Sequence, residues 1–397
     1  MRILVLAPHA FYIDRGTPID VDLVLRALSD LGHTVEAVVY DEGEDRDYPG
    51  VTIHRIGAPP SLARIGPGFR AKKLRADRHL FRKARQRVAA FKPDVIHAGE
   101  EAVFMAQWFR RRRGIPYVYD MDSSIAQQLV EKKPRLKFAA PLFNLLEARA
   151  IRGAAACAPV CPALADLAQR RGARHVTTLH DISQLADPGR EPTGFLRTDR
   201  RMPPGSVIFM YVGNLEPYQG VHLLLDGVAH AVDAALAADA APPPIQVVVA
   251  GGSDRHIAQH RAQAEALGIQ NRVHFLGRWP ADRLDALLAE ADVLVAPRTR
   301  GINTPQKVFP YLHTGKAVLL TDLPTHTQTF GADVAFFAEP TAEAFGAALT
   351  RLAADDAARS QRGAAARAFI EANHTYPAHL ERVRALYQDV QQAVDGA

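Results

Sequence analysis

Short apolar runs without polar alternation, each trailed by a helix-like stretch, recur along nearly the whole chain and restart once near its middle. The first series contains RILVLAP followed by VDLVLRALSDLG, then VEAVVY and VTIHRI, then DVIHAG before EAVFMAQWFRRRRG, and PYVYDMD before SSIAQQL. A strand with one wet face would alternate apolar and polar residues. Runs that are apolar on both sides need cover on both sides, which predicts parallel strands buried beneath helices. The second series is VIFMYVG, HLLLDGVAHAVDAAL, IQVVVAG, VHFLG, DRLDALLAEA, DVLVAP and AVLLTD. Helix-like AEAFGAALTRLAADD, AAARAFIEA and a last segment from about Pro377 close the chain. Between the two series, DPGREPTGFLRTDRRMPPG (Asp187 to Gly205) is rich in proline, glycine and charge and has no apolar period, so it reads as an interdomain linker. The expected fold is α/β, with two doubly wound domains over residues 1–190 and 191–375 facing each other across a cleft, and a helix over residues 376–397.

Composition narrows the class. A chain of 397 residues with 48% hydrophobic content can bury two cores. No stretch supplies the roughly 20 consecutive apolar residues of a spanning helix. MRILVLAP is too short and too lightly basic for a signal peptide. Two cysteines, Cys157 and Cys161, exclude a disulfide scaffold and cannot close a zinc site unaided, so no metal and a reducing cytoplasmic setting are expected.

The formal charge of +5 is unevenly divided. Residues 1–190 hold 30 basic and 21 acidic side chains, residues 191–397 hold 18 and 22. The surplus concentrates between Ser61 and Lys92, in RIGPGFRAKKLRADRHLFRKARQRV, and recurs at Arg110 to Arg113 and in EKKPRLK, Glu131 to Lys137. A nucleic acid, an anionic lipid surface or an acidic substrate could exploit it, and a solvated basic face would look the same.

In doubly wound sheets, ligands bind beyond the carboxyl ends of the strands. The loops of interest are therefore 8–20, 98–102, 121–124, 213–220, 251–255, 277–280 and 297–305. In YVGNLEPYQG, Gly213 allows close backbone approach and Gly220 suits a helix start, where free N–H groups favour an anion. VVVAGGSDRH repeats the arrangement with Gly251, Gly252 and Arg255, and the loop after VHFLG adds Arg278. Each alone would also suit a plain strand-to-helix turn, and neither is the full G-x-G-x-x-G dinucleotide signature. The loop in APRTRGINTPQKVFPYLHTGK joins Arg298 and Arg300 to Asn303, Thr304 and Pro305, then Lys307. Thr304 is a good helix N-cap and Pro305 a good first helical residue, so free N–H groups there would cradle phosphate beside three cations. Three anion-competent loops at equivalent strand ends point to a phosphate-bearing ligand.

The ordered series RILVLAP, KPDVIHAG, RRRGIPYVYDMDSS, FMYVGNLEPYQGVHLLLDG, VVVAGG, NRVHFLGRWPADRLDALLAEADVLVAP and YLHTGKAVLLTDLPTHTQ resembles the retaining glycosyltransferases of family 4 over nearly the whole chain. The resemblance implies the GT-B fold of two Rossmann-like domains. It also implies a UDP- or GDP-sugar donor on the second domain, an acceptor on the first, no cofactor, and a last helix that returns to the first domain. The chain departs from the family at several positions. The usual arginine and lysine that hold the donor diphosphate are Asn214 and Gln219 here. The two carboxylates of the Glu-x7-Glu motif fall at Ile302 and Pro310, and a histidine after a strand of the first domain falls at Asp122. Three explanations stay open: a rebuilt site in which Arg298, Arg300 and Lys307 replace the clamp, an unusual donor, or lost transfer activity.

In the rebuilt reading, Arg298, Lys307 and the amides near Gly213, Asn214 and Thr304 stabilise the departing diphosphate. Asp122 orients the donor sugar or the acceptor hydroxyl, or is a plain helix N-cap. The Gly16 backbone approaches the donor while His9, Asp14 and Arg15 face the acceptor, and His97 suits a core position equally well. Rival readings are a non-catalytic nucleotide- or glycan-binding protein and another sugar-nucleotide activity such as an epimerase or phosphorylase. The acceptor would be a glycan, a lipid-linked sugar or a small molecule. The basic half is then the acceptor half, and Arg64 to Arg87 are expected to hold it against an anionic membrane at the cytoplasmic face. No nucleic acid is expected, because aromatic platforms do not interleave with the charge.

Overall fold

The computed structural model describes the chain except for residues 14–15, 63–70, 126–137, 139 and 396–397. It comprises two compact units, Met1–Asp181 with Pro377–Ala397, and Ile182–Tyr376.

The first unit holds six parallel strands, β1 (Arg2–Leu6), β2 (Thr34–Val39), β3 (Val51–Arg55), β4 (Val95–Gly99), β5 (Tyr117–Met121) and β6 (Ala156–Pro159), in the order β3-β2-β1-β4-β5-β6. Its helices are α1 (Gly16–Asp30), α2 (Ala71–Phe91), α3 (Val103–Arg113), α4 (Ala140–Gly153) and α5 (Pro162–Arg170). Successive side chains of a strand point to opposite faces, so β1 feeds two cores. Leu4 and Leu6 join Leu80 and Ala84 of α2, Val103 and Phe109 of α3, and Ala150 and Ile151 of α4. Ile3 and Val5 join Val21, Leu25 and Leu28 of α1 and, from the end of the chain, Val383, Leu386, Tyr387 and Val390. The C-terminal segment thus completes the cover that β1 and β4 require on that face.

The second unit repeats the plan. Strands β7 (Val207–Val212), β8 (Ile245–Ala250), β9 (Val273–Gly277), β10 (Val293–Ala296), β11 (Ala317–Thr321) and β12 (Phe336–Ala338) are parallel, in the order β12-β11-β10-β7-β8-β9. Numbered within the unit, this is the strand order of the first, the Rossmann order that reverses beside the first strand. The remaining helices are α6 (Phe195–Asp199), α7 (Val221–Ala237), α8 (Asp254–Ala266), α9 (Leu284–Ala289), α10 (Val308–His313), α11 (Pro324–Thr327), α12 (Ala342–Ala354), α13 (Asp356–Asn373) and α14 (Tyr376–Asp395).

The expected linker is a correction. The divide falls between Asp181 and Ile182, and residues 187–205 lie inside the second unit. Their polar groups are tied down: the Thr193 and Gly194 amides donate to Glu290 Oε1 at 2.6 and 3.0 Å, and Arg197 pairs with Asp292 at 2.6 Å. Leu196 of α6 is buried. Strands β6 and β12, of four and three residues, carry too short an apolar run to be read from the sequence. Cys157 and Cys161 are buried and unlinked. The SSIAQQL helix and the Glu131 to Lys137 charge run fall mostly or wholly outside the described residues.

Candidate functional site

In the second unit the loops after β7, β8 and β10 lock onto one another beyond the strand ends. Gly220 caps α7 with φ +75°, and a Cβ there would lie 1.7 Å from the Pro297 carbonyl oxygen. Gly251 has φ +104°, and its Cβ would lie 2.1 Å from the Gly213 oxygen. Gly252 lies against Leu215. Backbone bonds stitch the same loops together: Thr299 N donates to Tyr218 O at 2.9 Å, Gly213 N to Ala250 O at 2.9 Å, and Gly251 N to Gly277 O at 2.5 Å. Loop packing alone therefore demands glycine at 220 and 251.

Lys307 reaches into this junction. Its ammonium donates to Tyr211 Oη at 2.6 Å and to Gln219 Oε1 at 3.1 Å, and lies 4.0 Å from the Tyr211 ring centre. A Cβ on Gly213 would collide with Nζ, so that glycine makes the room the ammonium occupies. Both partners are neutral and buried, and among the described residues no ion pair involves Lys307. Burial, with Arg298 nearby, holds its pKa well below the ordinary lysine value. The ammonium thus stands beside the side chain of Gln219, the position where the resemblance places a lysine. Tyr211, hidden inside a strand pattern, gave the sequence reading no signal.

The other expected phosphate ligands divide. Arg298 is a brace of its own loop: Nε donates to Arg300 O at 2.8 Å and NH1 to Asn303 O at 2.9 Å, with the guanidinium 5.3 Å from the Tyr218 ring centre. Two of its three guanidinium nitrogens thus serve backbone carbonyls of the loop. Thr304 is not an N-cap. Its hydroxyl meets that of Thr329 at 2.7 Å, and residues 305–307 form a turn, so α10 starts only at Val308 and has six residues. Pro305 consequently lies before the helix. Asn303 offers its carbonyl to Arg298 and to Thr325. Arg255, Arg278 and Arg300 are exposed. Asn214 is exposed too, its Oδ1 accepting the Glu216 amide at 3.2 Å.

In the first unit, Asp122 follows β5 and hydrogen-bonds Thr17, next to Gly16 in the first turn of α1. The Ile125 amide, which a capping Asp122 would be expected to hold, donates to Glu147 Oε1 at 2.7 Å. Asp14 and Arg15 fall outside the described residues. His97 is a satisfied core histidine, with Nδ1 3.0 Å from Tyr387 Oη and Nε2 3.1 Å from Asp120. Around Asp122 the fold gathers Asp20, Asp120, His180 and His379 about a cavity of about 20 Å³, room for one water. Both His379 ring nitrogens are buried without partners, and burial with the Arg382 charge pushes its pKa down to about 4. Among the described residues no such group is arranged to hold a metal ion. Asp20, Asp181 and the two histidines gave no sequence signal because they come from α1, the β6 exit and α14.

Asp20 and Asp181 hydrogen-bond through their carboxyl groups, which takes one proton between them. Burial first, then the charges of Asp181 and Asp122, raises the Asp20 pKa. The folded state then holds protons that the unfolded chain releases, so stability is full below about pH 4 and declines as pH rises toward the folded pKa. Asp20→Asn, whose amide keeps the donor at every pH, should raise the melting temperature at pH 8 by a few degrees. Melting curves across pH 4–8 should show that gain shrinking toward pH 4; a constant or reversed difference would contradict the shared proton.

Residues 16–181 match the model of the Glycosyl transferase 4-like domain, and residues 195–369 that of Glycosyl transferases group 1. A D-inositol 3-phosphate glycosyltransferase from Corynebacterium glutamicum is 28% identical over 118 residues, 29% of this chain and 27% of that protein. The match thus spans about a quarter of that relative's length. Among solved structures, sucrose-phosphate synthase from Thermosynechococcus elongatus superposes with a TM-score of 0.77 at 16% identity, covering 99% of both chains. Anabaena HepE, in complex with UDP, gives 0.73 at 17% identity, covering 98% of this chain and 100% of its own. At such identities the likeness concerns the fold.

Proposed function

We propose that this chain, a glycosyltransferase with the two-domain GT-B fold, transfers a sugar from a nucleotide-sugar donor to an acceptor hydroxyl with retention of configuration. One observation carries the reading: a half-buried lysine whose partners among the described residues are neutral, at the strand ends of the second unit where the loops after β7 and β10 meet. Burial without a counter-charge disfavours the charged form of this lysine, and a ligand that supplies the counter-charge restores it; a diphosphate does so. The UDP bound by HepE supports a nucleotide-sugar donor.

In this reading Lys307 takes the place of the missing diphosphate lysine, with Gln219 as its neutral holder. The glycosyl carbon–phosphate oxygen bond breaks while the acceptor oxygen bonds to the same carbon from the same face, and the acceptor proton leaves with the nucleoside diphosphate. Negative charge grows on the departing oxygen, where a preorganised ammonium and the Gly213 amide region are most effective. Arg255, Arg278 and Arg300 lie at neighbouring strand ends to meet the remaining phosphate charge. In the first unit this reading gives Asp122, at the exit of β5, the role of orienting the donor sugar or the acceptor hydroxyl. Mass spectrometry of the protein incubated with a panel of UDP- and GDP-sugars, with and without lipid-linked acceptors, should find a glycosylated acceptor. Nucleotide binding without donor consumption would leave only a binding protein.

Binding should also move a proton. The Lys307 pKa is depressed in the free protein and rises again beside a diphosphate, so at pH between the two values each nucleotide bound takes up a proton. Affinity should therefore fall as pH rises through that window. Calorimetry of UDP or GDP at pH 8 in two buffers of different ionisation enthalpy should give different apparent enthalpies; identical ones would exclude a deprotonated Lys307.

A further inference from the structure

Helices α2, α3 and α4 lie side by side on one face of the first sheet, packing inward on a shared core. Their outer surface has two unusual properties. Among the described residues it is cationic without counter-charge: α2 exposes Arg75, Arg78, Arg82 and Arg85, α3 ends in Arg110 to Arg113, and α4 exposes Arg149 and Arg152. The three helices contain two carboxylates, Asp77 and Glu147, and both are used internally. Asp77 accepts from Tyr40 Oη at 2.5 Å, and Glu147 is fully buried against Ser124, the Ile125 amide and Arg171.

The same surface is greasy. Among the described residues, every exposed large hydrophobic side chain of the first unit lies on it or beside it: Leu74, Trp108, Phe138, Leu142, Leu145 and Leu146. Within α4, Leu142, Leu145, Leu146, Arg149 and Arg152 recur at helical spacing, so they form one stripe that runs from apolar to basic. Phe138 and Leu142 are 81% and 56% exposed, far from the behaviour of a core-facing stripe. Between α2 and α3 runs a groove of about 310 Å³ lined by Arg82, Arg85 and Arg113, with Val88 and Phe109 as its floor and Trp108 at its edge. The Arg85 guanidinium lies 6.0 Å from the Trp108 ring centre.

We infer that the α2–α3–α4 face docks on an anionic lipid bilayer, the groove arginines taking headgroup phosphates while Trp108 and the α4 leucines enter the acyl boundary. Charge complementarity selects this occupant. A second copy of the face would oppose arginine to arginine. A nucleic acid would leave the leucine stripe unused. A bilayer with acidic headgroups satisfies both halves of the surface, as for other amphipathic elements that lie in the interface plane. No described helix is long and apolar enough to cross a membrane, so the contact is a surface one. The expectation from charge alone, which centred on Arg64 to Arg87, is thereby narrowed to Arg75, Arg78, Arg82 and Arg85 of that segment and extended to α3 and α4. Residues 64–70 are outside the described part, Arg87 is spent on Glu36 at 2.6 Å, and the apolar contribution comes from α4.

This inference is independent of the glycosyl-transfer reading, because binding is measured without turnover. The intact protein is floated with vesicles of phosphatidylglycerol and phosphatidylcholine in equal parts, or of phosphatidylcholine alone, at low and high salt. Binding should require the anionic lipid, weaken with salt and shift the Trp108 emission to the blue in a Trp279→Phe background. Each exposed arginine near the leaflet is worth about fivefold in affinity, so Arg75→Gln, Arg78→Gln, Arg82→Gln and Arg85→Gln combined should lose several hundredfold. Leu142→Ser, Leu145→Ser and Leu146→Ser combined should weaken binding and leave it more salt-sensitive. All these side chains are exposed, and unchanged melting curves would confirm folding. Absence of vesicle binding at low salt, equal binding to neutral vesicles, tighter retention of RNA, or a leucine variant that breaks a dimer without touching vesicle binding would each overturn the inference.

Discussion

Replacing Lys307 with methionine is expected to weaken UDP or GDP binding by roughly 10- to 150-fold while making the protein more stable. The loss follows from removing one hydrogen-bonded cation from a diphosphate, a contact worth about 1.5–3 kcal/mol. The gain follows from the free protein. A lysine whose folded pKa lies below its unfolded value binds fewer protons folded than unfolded, so its penalty is largest at low pH and fades as pH approaches the unfolded pKa. Methionine has a similar unbranched shape and strands no partner. Tyr211 Oη still donates to Asn214 O at 2.5 Å, and Gln219 Oε1 still lies 3.4 Å from Tyr211. The melting temperature should rise by a few degrees at pH 6 and by less at pH 9. Opposite signs for stability and affinity distinguish a binding residue from a structural one. A variant that loses stability, or keeps full nucleotide affinity, would remove Lys307 from the site.

The sequence was legible where one physical demand acted on one segment. Strands β1, β4, β5, β7, β8 and β10 are buried on both sides, and the uninterrupted apolar runs say so. The glycines of the strand-end loops were equally visible, although their immediate cause is contact between loops. What stayed illegible depends on partners distant in the chain. Nothing in NTPQK tells Thr304 that Thr329 lies within bonding distance, so a good capping sequence produced no cap. Nothing in PRTR shows that the Arg298 guanidinium turns back onto the carbonyls of residues 300 and 303. Lys307 was chosen as one of three interchangeable cations; only its enclosure beside Gln219, 88 residues away, separates it from the other two. The acidic cluster of the first unit was invisible for the same reason.

Gly220→Ala should lower both stability and donor affinity, the opposite pairing to Lys307→Met. An L-residue at φ +75° costs about 1–2 kcal/mol, and a methyl group placed 1.7 Å from the Pro297 oxygen must push that carbonyl away. The combined cost is about 3–5 kcal/mol, which lowers the melting temperature by roughly 6–20 °C. Gly268→Ala is the control. It shares the backbone conformation, φ +69°, with no atom within 4 Å of the added methyl, so it should show the conformational cost alone and leave nucleotide affinity unchanged. The excess of the first variant over the second measures the collision. Pro297 begins the loop that delivers Lys307, and Thr299 in that loop is bonded to Tyr218, two residues before the mutated site. Displacing it separates the Lys307 amine from Gln219, so nucleotide affinity of the folded fraction should fall about tenfold or more, in line with the loss expected for Lys307→Met. If Gly220→Ala melts like Gly268→Ala and binds nucleotide normally, the loops after β7 and β10 are not mechanically joined and the site cannot rest on their junction.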